Sequence, residues 1–176
     1  MNGYVCNTCG QYHEELPLSY GSPAPALVLS LSEKEQKKRV LLSSDQCEVS
    51  GKKIFDKKAY FIVGNIDIPI NGSTEIFRWT VWVSLSKENY KRAGELWNKS
   101  GRETEPPYFG WLSTSLPLYL YPETINLKTH VHTRPVGVRP FVELEPTDHP
   151  LAIEQRDGIS WKRVQEIAEL VLHPKQ

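Results

Sequence analysis

The sequence predicts an α+β fold in which an antiparallel sheet packs against a few helices, with a zinc-knuckle-like segment at the N-terminus. Residues 59–70 and 76–85 are rich in β-branched and aromatic side chains, which is typical of strands. They are separated by Asn71-Gly72, a strong signal for a β-hairpin. Helical segments with recognisable start signals flank these strands, so sheet and helices are expected in one mixed domain.

Three serines mark the predicted helix starts. Ser32 is followed three residues later by Glu35, and this capping box predicts a helix through the charged run that follows. Ser86 is the predicted cap of a second helix. Ser160 is the predicted cap of a last helix over about 161–172, whose apolar residues recur at helical spacing.

The second half of the chain adds two predicted strands and a long loop. Residues 124–134 and 139–145 alternate between polar and apolar side chains, as half-buried strands do. A turn between them sets a register that pairs His130 with Glu143. Residues 100–122 are rich in proline, glycine and aromatic residues and are expected to form a structured loop.

Length and charge limit the domain count and the classes of partner. The chain has 176 residues, so we expect one compact unit in which residues 1–50, the N-terminal segment and helix, dock on the α+β domain 51–176. Lys+Arg and Asp+Glu both number 21, so nucleic acid is not the expected partner. No apolar run is long enough to span a membrane, and no secretory signal is recognised. We therefore expect a cytoplasmic protein with reduced thiols.

The cysteines predict a structural zinc site. Cys6 and Cys9 have the spacing of a zinc knuckle, and Gly10 can take the left-handed conformation that turns backbone amides toward the sulfurs. His13 lies close by, and Cys47 is the third cysteine, so the expected ligand set is Cys6, Cys9, Cys47 and His13. The alternatives are three unlinked thiols and a redox Cys-x-x-Cys motif. A complete thiolate-rich set leaves no open position for substrate, which indicates a structural role.

A second group of candidate residues lies on the predicted hairpin near the C-terminal half. His130, His132 and Glu143 are expected on its polar face, and His149 follows shortly after. These residue types can form a metal site of a hydrolase, with His149 as an acid, base or further ligand. The alternative is a solvated face with opposite charges paired across the strands, and a turn at His149.

The sequence also resembles a known family over nearly its whole length. The shared motifs are Cys6-x-x-Cys9-Gly10-x-x-His13 with Leu16-Pro17, Ser44-Asp45-x-Cys47, Trp82-Val83-Ser84-Leu85-Ser86, Pro107-Tyr108-Phe109-Gly110-Trp111-Leu112-Ser113, Leu127-Lys128-Thr129 and Glu143-Leu144-Glu145-Pro146-Thr147-Asp148-His149-Pro150-Leu151. On these motifs the chain resembles the bacterial domain-of-unknown-function family 2199. The resemblance implies a small stand-alone cytoplasmic bacterial protein, and it brings no catalytic residues with it.

Two functions follow as expectations. The first is a zinc-stabilised domain that acts by protein contacts, of an immunity or adaptor type, with an unidentified protein partner. Tyr108, Phe109 and Trp111 of the aromatic segment 106–112 form the contact surface if they are exposed, and belong to the core if they are not. The alternative is a metal-dependent hydrolase that uses His130, His132, Glu143 and His149.

Overall fold

Ten strands, five α-helices and one 3₁₀ helix, Arg102–Thr104, are seen in a computed structural model that describes residues 3–52 and 57–173. The strands are β1 (Tyr4–Val5), β2 (Tyr12–His13), β3 (Ser19–Gly21), β4 (Val40–Leu42), β5 (Gln46–Val49), β6 (Ala59–Pro69), β7 (Ile76–Leu85), β8 (Tyr108–Leu112), β9 (Lys128–His132) and β10 (Phe141–Leu144). The helices are α1 (Ala26–Leu29), α2 (Glu33–Arg39), α3 (Lys87–Leu96), α4 (Pro150–Asp157) and α5 (Trp161–Leu172). None of these helices has both the length and the apolar character needed to cross a bilayer.

Eight strands form one mixed sheet that closes on itself. Their order is β3-β7-β8-β9-β10-β6-β5-β4, and an additional pairing of β6 with β7 closes strands β6 to β10 into a five-stranded barrel. The pairs β3–β7 and β10–β6 are parallel. The expectation of an antiparallel sheet is therefore wrong for these two pairs. A closed ring with an odd number of strands cannot alternate direction throughout, so this barrel needs at least one parallel pair.

The strongest local signals of the sequence are confirmed. Strands β6 and β7 form a long antiparallel hairpin around Asn71-Gly72, with Pro69 opposite Ile76 at its closed end. Helices α2, α3 and α5 begin after Ser32, Ser86 and Ser160, and each serine side chain accepts a hydrogen bond from the backbone three residues later. These helices start where they do because the serine oxygens satisfy N–H groups that have no partner within the helix.

The register of the second hairpin is also confirmed, because strand β10 pairs His130 with Glu143 and His132 with Phe141. The segment 100–122, expected to form a structured loop, contains strand β8. Gly110 lies at the centre of β8, where an added Cβ would come within 2.6 Å of the backbone oxygen of Ser84. Glycine here allows close packing on β7, although glycine in a sequence usually argues against a strand.

The apolar core has a main part and two smaller parts. The main cluster fills the barrel and extends to α4 and α5. A second cluster lies on the other face of β6 and β7, where Phe61, Val63 and Trp82 pack against Val28 of α1. The third cluster is small and joins Tyr4 and Cys6 to Ala168 of α5. The N-terminal segment thus packs against the last helix, and strands β3 to β5 add the rest of residues 1–50 to the sheet.

Candidate metal centre

A tight turn between two short strands positions the Cys-x-x-Cys motif. Strands β1 and β2 are antiparallel, with Tyr4 opposite His13. In the turn, the backbone N–H of Gly10 donates to the carbonyl oxygen of Cys6 over 2.8 Å, and Gly10 has a φ of 70°. That left-handed conformation strongly favours glycine. The turn places Cys6, Cys9 and His13 on one side of the segment.

The fourth member of the group comes from the other end of the chain. His173 follows directly on Leu172, the last residue of α5. One donor atom from each of Cys6, Cys9, His13 and His173 lies within 4.8 Å of the other three. The Cys9 Sγ and His13 Nε2 atoms are 3.5 Å apart. This distance fits a tetrahedral site, because metal bonds of about 2.0–2.3 Å give tetrahedron edges of about 3.3–3.8 Å.

Hydrogen bonds from the N-terminal segment 5–7 to α5 hold the two ends of the chain next to each other. The Glu169 carboxylate accepts from the backbone N–H of Asn7 over 2.8 Å and from its side-chain amide over 2.9 Å. Gln165 donates to the carbonyl oxygen of Val5 over 3.1 Å. Glu169 lies one helical turn before His173, so the same helix face carries both the anchor for Asn7 and the fourth donor.

The electrostatics of the group suit a cation. Burial raises the pKa of the Cys6 thiol, but N–H groups of Cys9 and Thr8 that hydrogen-bond to the sulfur outweigh it, so this pKa lies below its ordinary value. The Nε2 atom of His173 is buried and has no hydrogen-bond partner among the described residues. A cysteine sulfur whose thiolate form is stabilised and an imidazole nitrogen without a hydrogen-bond partner can both act as metal ligands. The four residues can therefore hold a metal ion.

Cys47 lies elsewhere, and this corrects the ligand set expected from the sequence. It sits in β5 between Leu42 and Phe61, fully buried in the second apolar cluster. Burial, and to a lesser degree the nearby Glu48, raises the pKa of its thiol to about 11, as expected for a protonated core residue. His173 takes the place in the group that was expected for Cys47. A single histidine after a helix gives no spacing signal, so sequence reasoning missed it.

The candidate hydrolase residues occupy three separate positions. His132 Nε2 lies 2.7 Å from Glu143 Oε2, whereas His130 Nε2 faces Glu145 Oε1 over 3.5 Å. His149 is the N-cap of α4, where its Nδ1 accepts the N–H of Leu151 over 3.2 Å. In the part of the chain that the structure describes, no metal-ligand group of three or more forms around them.

The aromatic segment is divided between core and surface by strand β8. Tyr108 points inward and is 6% exposed, whereas Phe109 and Trp111 point outward and are each 40% exposed. The two outward rings are in edge contact, with centroids 5.2 Å apart, and the ring of His130 lies beside Phe109. The outer face of β8 and β9 therefore presents a small aromatic patch, defined by Phe109, Trp111 and His130.

Comparison with known proteins identifies a family and no relative of known activity. Residues 5–159 match the family DUF2199, described as an uncharacterized protein conserved in bacteria. No curated protein and no solved structure matches the chain. Cys6, Cys9 and His13 lie within the matched range, and His173 lies outside it.

Proposed function

Because this chain belongs to DUF2199, a family of uncharacterized proteins conserved in bacteria, we propose its function from the geometry of the metal centre. The proposal is that Cys6, Cys9, His13 and His173 bind one zinc ion, which joins the two ends of the chain. The observation that carries it is the approach of these four donor atoms to within 4.8 Å of one another. Two sulfurs and two imidazoles form a common donor set of tetrahedral structural zinc.

The proposed role of the ion is structural. Four protein ligands fill a tetrahedral zinc site, so no position remains for substrate or a reactive water. The buried apolar contacts of the segment 4–13 form a small cluster in which Tyr4 and Cys6 pack on Ala168 of α5. Such a segment buries too little apolar surface to offset the conformational entropy lost when it is ordered. A bound ion supplies the missing free energy, because ligands from both ends are brought together only in the folded state.

Metal content tests the proposal directly. The protein, purified without a metal-affinity tag, is expected to contain one zinc per chain by elemental analysis. A strong chelator is expected to remove it and to expose the segment 4–13 to proteolysis, while the far-ultraviolet circular dichroism of the sheet changes little. Protein that is free of metal and keeps the same resistance to proteolysis after zinc is added would contradict the proposal.

A structural metal ion does not itself perform the function of the protein, which must then depend on other surface residues. We propose that the protein acts by protein contacts of an immunity or adaptor type. The aromatic patch supports this, because exposed Trp and Phe side chains are enriched at protein interfaces. Replacement of Phe109 and Trp111 by serine is expected to abolish retention of a partner from the native bacterium and to leave zinc content unchanged. If the wild-type protein and the double variant retain the partner equally well, the aromatic patch is not the contact surface.

The alternative of a metal-dependent hydrolase has weaker support. Its four residues are distributed over two cross-strand pairs and one helix cap. An enzyme of this kind needs its ligands around one open coordination position.

A further inference from the structure

A cluster of arginines lies on the outer face of the β6–β7 hairpin, next to the second apolar cluster, because Thr80 lies two residues before Trp82 on the same strand face. Two cross-strand pairs form its floor, Asn65 opposite Thr80 and Asp67 opposite Arg78. The connection between β9 and β10 folds over this floor. Together they line a cavity of about 380 Å³ that is widely open to solvent, and its polar lining residues are Ser19, Asn65, Arg78, Thr80, Arg134 and Arg139.

The arginines outnumber the carboxylates that neutralise them. Asp67 Oδ1 lies 2.6 Å from Arg78 Nε, and its Oδ2 lies 2.7 Å from Arg134 Nη2. Arg139 Nε is paired with Asp45 Oδ1 over 3.1 Å. Three guanidinium groups thus face two carboxylates, which leaves a local excess of one positive charge in a chain whose formal net charge is zero.

Asp67 holds two of these guanidiniums in place and leaves most of their donors free. Each uses one nitrogen on the carboxylate, and the remaining N–H groups of Arg78 and Arg134 meet no acceptor within residues 3–52 and 57–173. Burial raises the pKa of Asp67, but the hydrogen bonds from both arginines outweigh it, so this pKa lies below its ordinary value. The carboxylate therefore stays charged at neutral pH and keeps both guanidiniums at the cavity.

Asn65 adds a neutral donor to the cavity wall. The residue is 7% exposed, and the hydroxyl of Thr80 donates to its Oδ1 over 3.0 Å. In this orientation of the amide, Nδ2 is the end that does not contact Thr80. Within the described ranges Nδ2 donates to no protein atom. Solvent reaches Nδ2 at the cavity, so this N–H group is free to donate to a bound ligand.

The connection that carries Arg134 and Arg139 is held from below by a buried arginine. Arg102 is 4% exposed and donates to the carbonyl oxygens of Arg134, over 2.6 Å, and Val138, over 2.8 Å. In return, the Thr133 hydroxyl donates to the carbonyl oxygen of Arg102 over 2.6 Å. The backbone of the cavity rim is thus ordered before any ligand arrives, which lowers the entropic cost of binding.

We propose that this cavity binds the phosphate group of a small molecule, or free phosphate. Planar guanidiniums pair with phosphate oxygens through two parallel hydrogen bonds, and a phosphate group offers the free N–H groups more acceptor oxygens than a carboxylate does. The volume suits a small ligand, because small-molecule sites occupy about 300–1,000 Å³. A concave site in a chain of zero net charge does not fit a nucleic-acid backbone, which needs an extended basic surface.

Calorimetric titration at low ionic strength tests the site, with inorganic phosphate, methyl phosphate and succinate as probes. Low salt is needed because exposed guanidiniums are screened at higher ionic strength. We expect one saturable phosphate site per chain with a dissociation constant below about 1 mM. Tighter binding of methyl phosphate indicates a phosphate ester as the natural ligand, and tighter binding of the inorganic ion indicates free phosphate.

Three variants test whether phosphate binds at this cavity and not elsewhere on the surface. Arg139→Ala removes a cavity guanidinium whose side chain is 42% exposed, so the fold is expected to survive, and phosphate binding is expected to weaken about tenfold. Asn65→Leu keeps the shape of a buried side chain without its donor and is expected to have a similar effect. Arg156→Ala removes an arginine that is 50% exposed and paired with Asp157 outside the cavity, and it should leave the affinity unchanged.

The opposite results would overturn the proposal. One is the absence of saturable phosphate binding to wild-type protein. Another is an equal loss of affinity in Arg139→Ala and Arg156→Ala, which would indicate only a general charge effect. Tighter binding of succinate than of either phosphate probe would contradict the assigned ligand class. Zinc content is expected to stay the same in all three variants, so failure here is distinguishable from failure of the proposed metal centre.

Discussion

Replacement of Cys6 by serine is expected to abolish zinc binding and to lower the free energy of unfolding by at least about 3 kcal/mol. Cys6 is fully buried, it belongs to the group of four donors, and its sulfur accepts the N–H of Cys9. A serine hydroxyl cannot replace a thiolate on zinc at neutral pH. Free energy of structural zinc binding reaches about 10–16 kcal/mol in small peptides, so loss of the ion outweighs the packing change.

Cys47→Ser is the matched control, because the same atom is changed in an equally buried cysteine. It introduces a hydroxyl into the second apolar cluster, at a cost of about 1–3 kcal/mol, and it should leave zinc at one per chain. His173→Asn is expected to behave like Cys6→Ser. Elemental analysis measures the zinc content of each variant, and urea unfolding measures its free energy of unfolding. Zinc loss in Cys47→Ser with retention in His173→Asn would support the ligand set expected from the sequence and contradict the set proposed here, Cys6, Cys9, His13 and His173.

Arg102→Met is expected to cost about 3–5 kcal/mol of unfolding free energy, although Arg102 contacts no metal and lies below the cavity. Its guanidinium donates to four backbone carbonyl oxygens, those of Trp97, Arg134, Pro135 and Val138. Hydrogen bonds from charged donors contribute about 1.5–3 kcal/mol each, and methionine leaves buried carbonyl groups without a donor. The side chain also stacks over the Trp97 ring, which methionine only partly replaces.

Denaturant unfolding of Arg102→Met beside Arg156→Met measures this effect. Arg156 is half-exposed and paired with a neighbouring aspartate, so its replacement is expected to change the free energy by less than about 1 kcal/mol. Arg102→Met is also expected to weaken phosphate binding, since the backbone that carries Arg134 loses its anchor. Similar unfolding curves for the two variants would show that Arg102 is not a structural anchor.

Local signals in the sequence account for much of the fold. Hairpin residues Asn71-Gly72 and the serine caps act within a few positions along the chain, so their consequences are readable without tertiary information. Strand β8 escaped this reasoning because Gly110 is favoured there by close contact with β7, a partner that only the folded sheet supplies. The parallel pair β10–β6 escaped it because this pair depends on closure of the barrel, which is a property of all five strands together. The parallel pair β3–β7 escaped it because it joins distant parts of the chain, with Ser19 opposite Arg78.

In the candidate metal centre, too, some residues could be predicted from a short stretch of sequence and others depend on contacts between distant parts of the chain. Cys6, Cys9 and His13 could be predicted from one short motif. His173 could not, because its approach depends on contacts such as that between Asn7 and Glu169, which are 162 positions apart in the chain. Cys47 has the residue type of a ligand, but strand pairing places it in the second apolar cluster.

The proximity of Cys6, Cys9 and His13 to His173, at the other end of the chain, also affects how the molecule responds to a mechanical force. With zinc bound, the chain from Cys6 to His173 is a closed loop, and all ten residues of the long strand β7 lie inside it. A pull applied at the two termini is carried by metal–sulfur and metal–nitrogen bonds and does not reach the hydrogen bonds of the barrel. Stretched in this way, a single molecule would rupture first at the ion and would extend only afterwards.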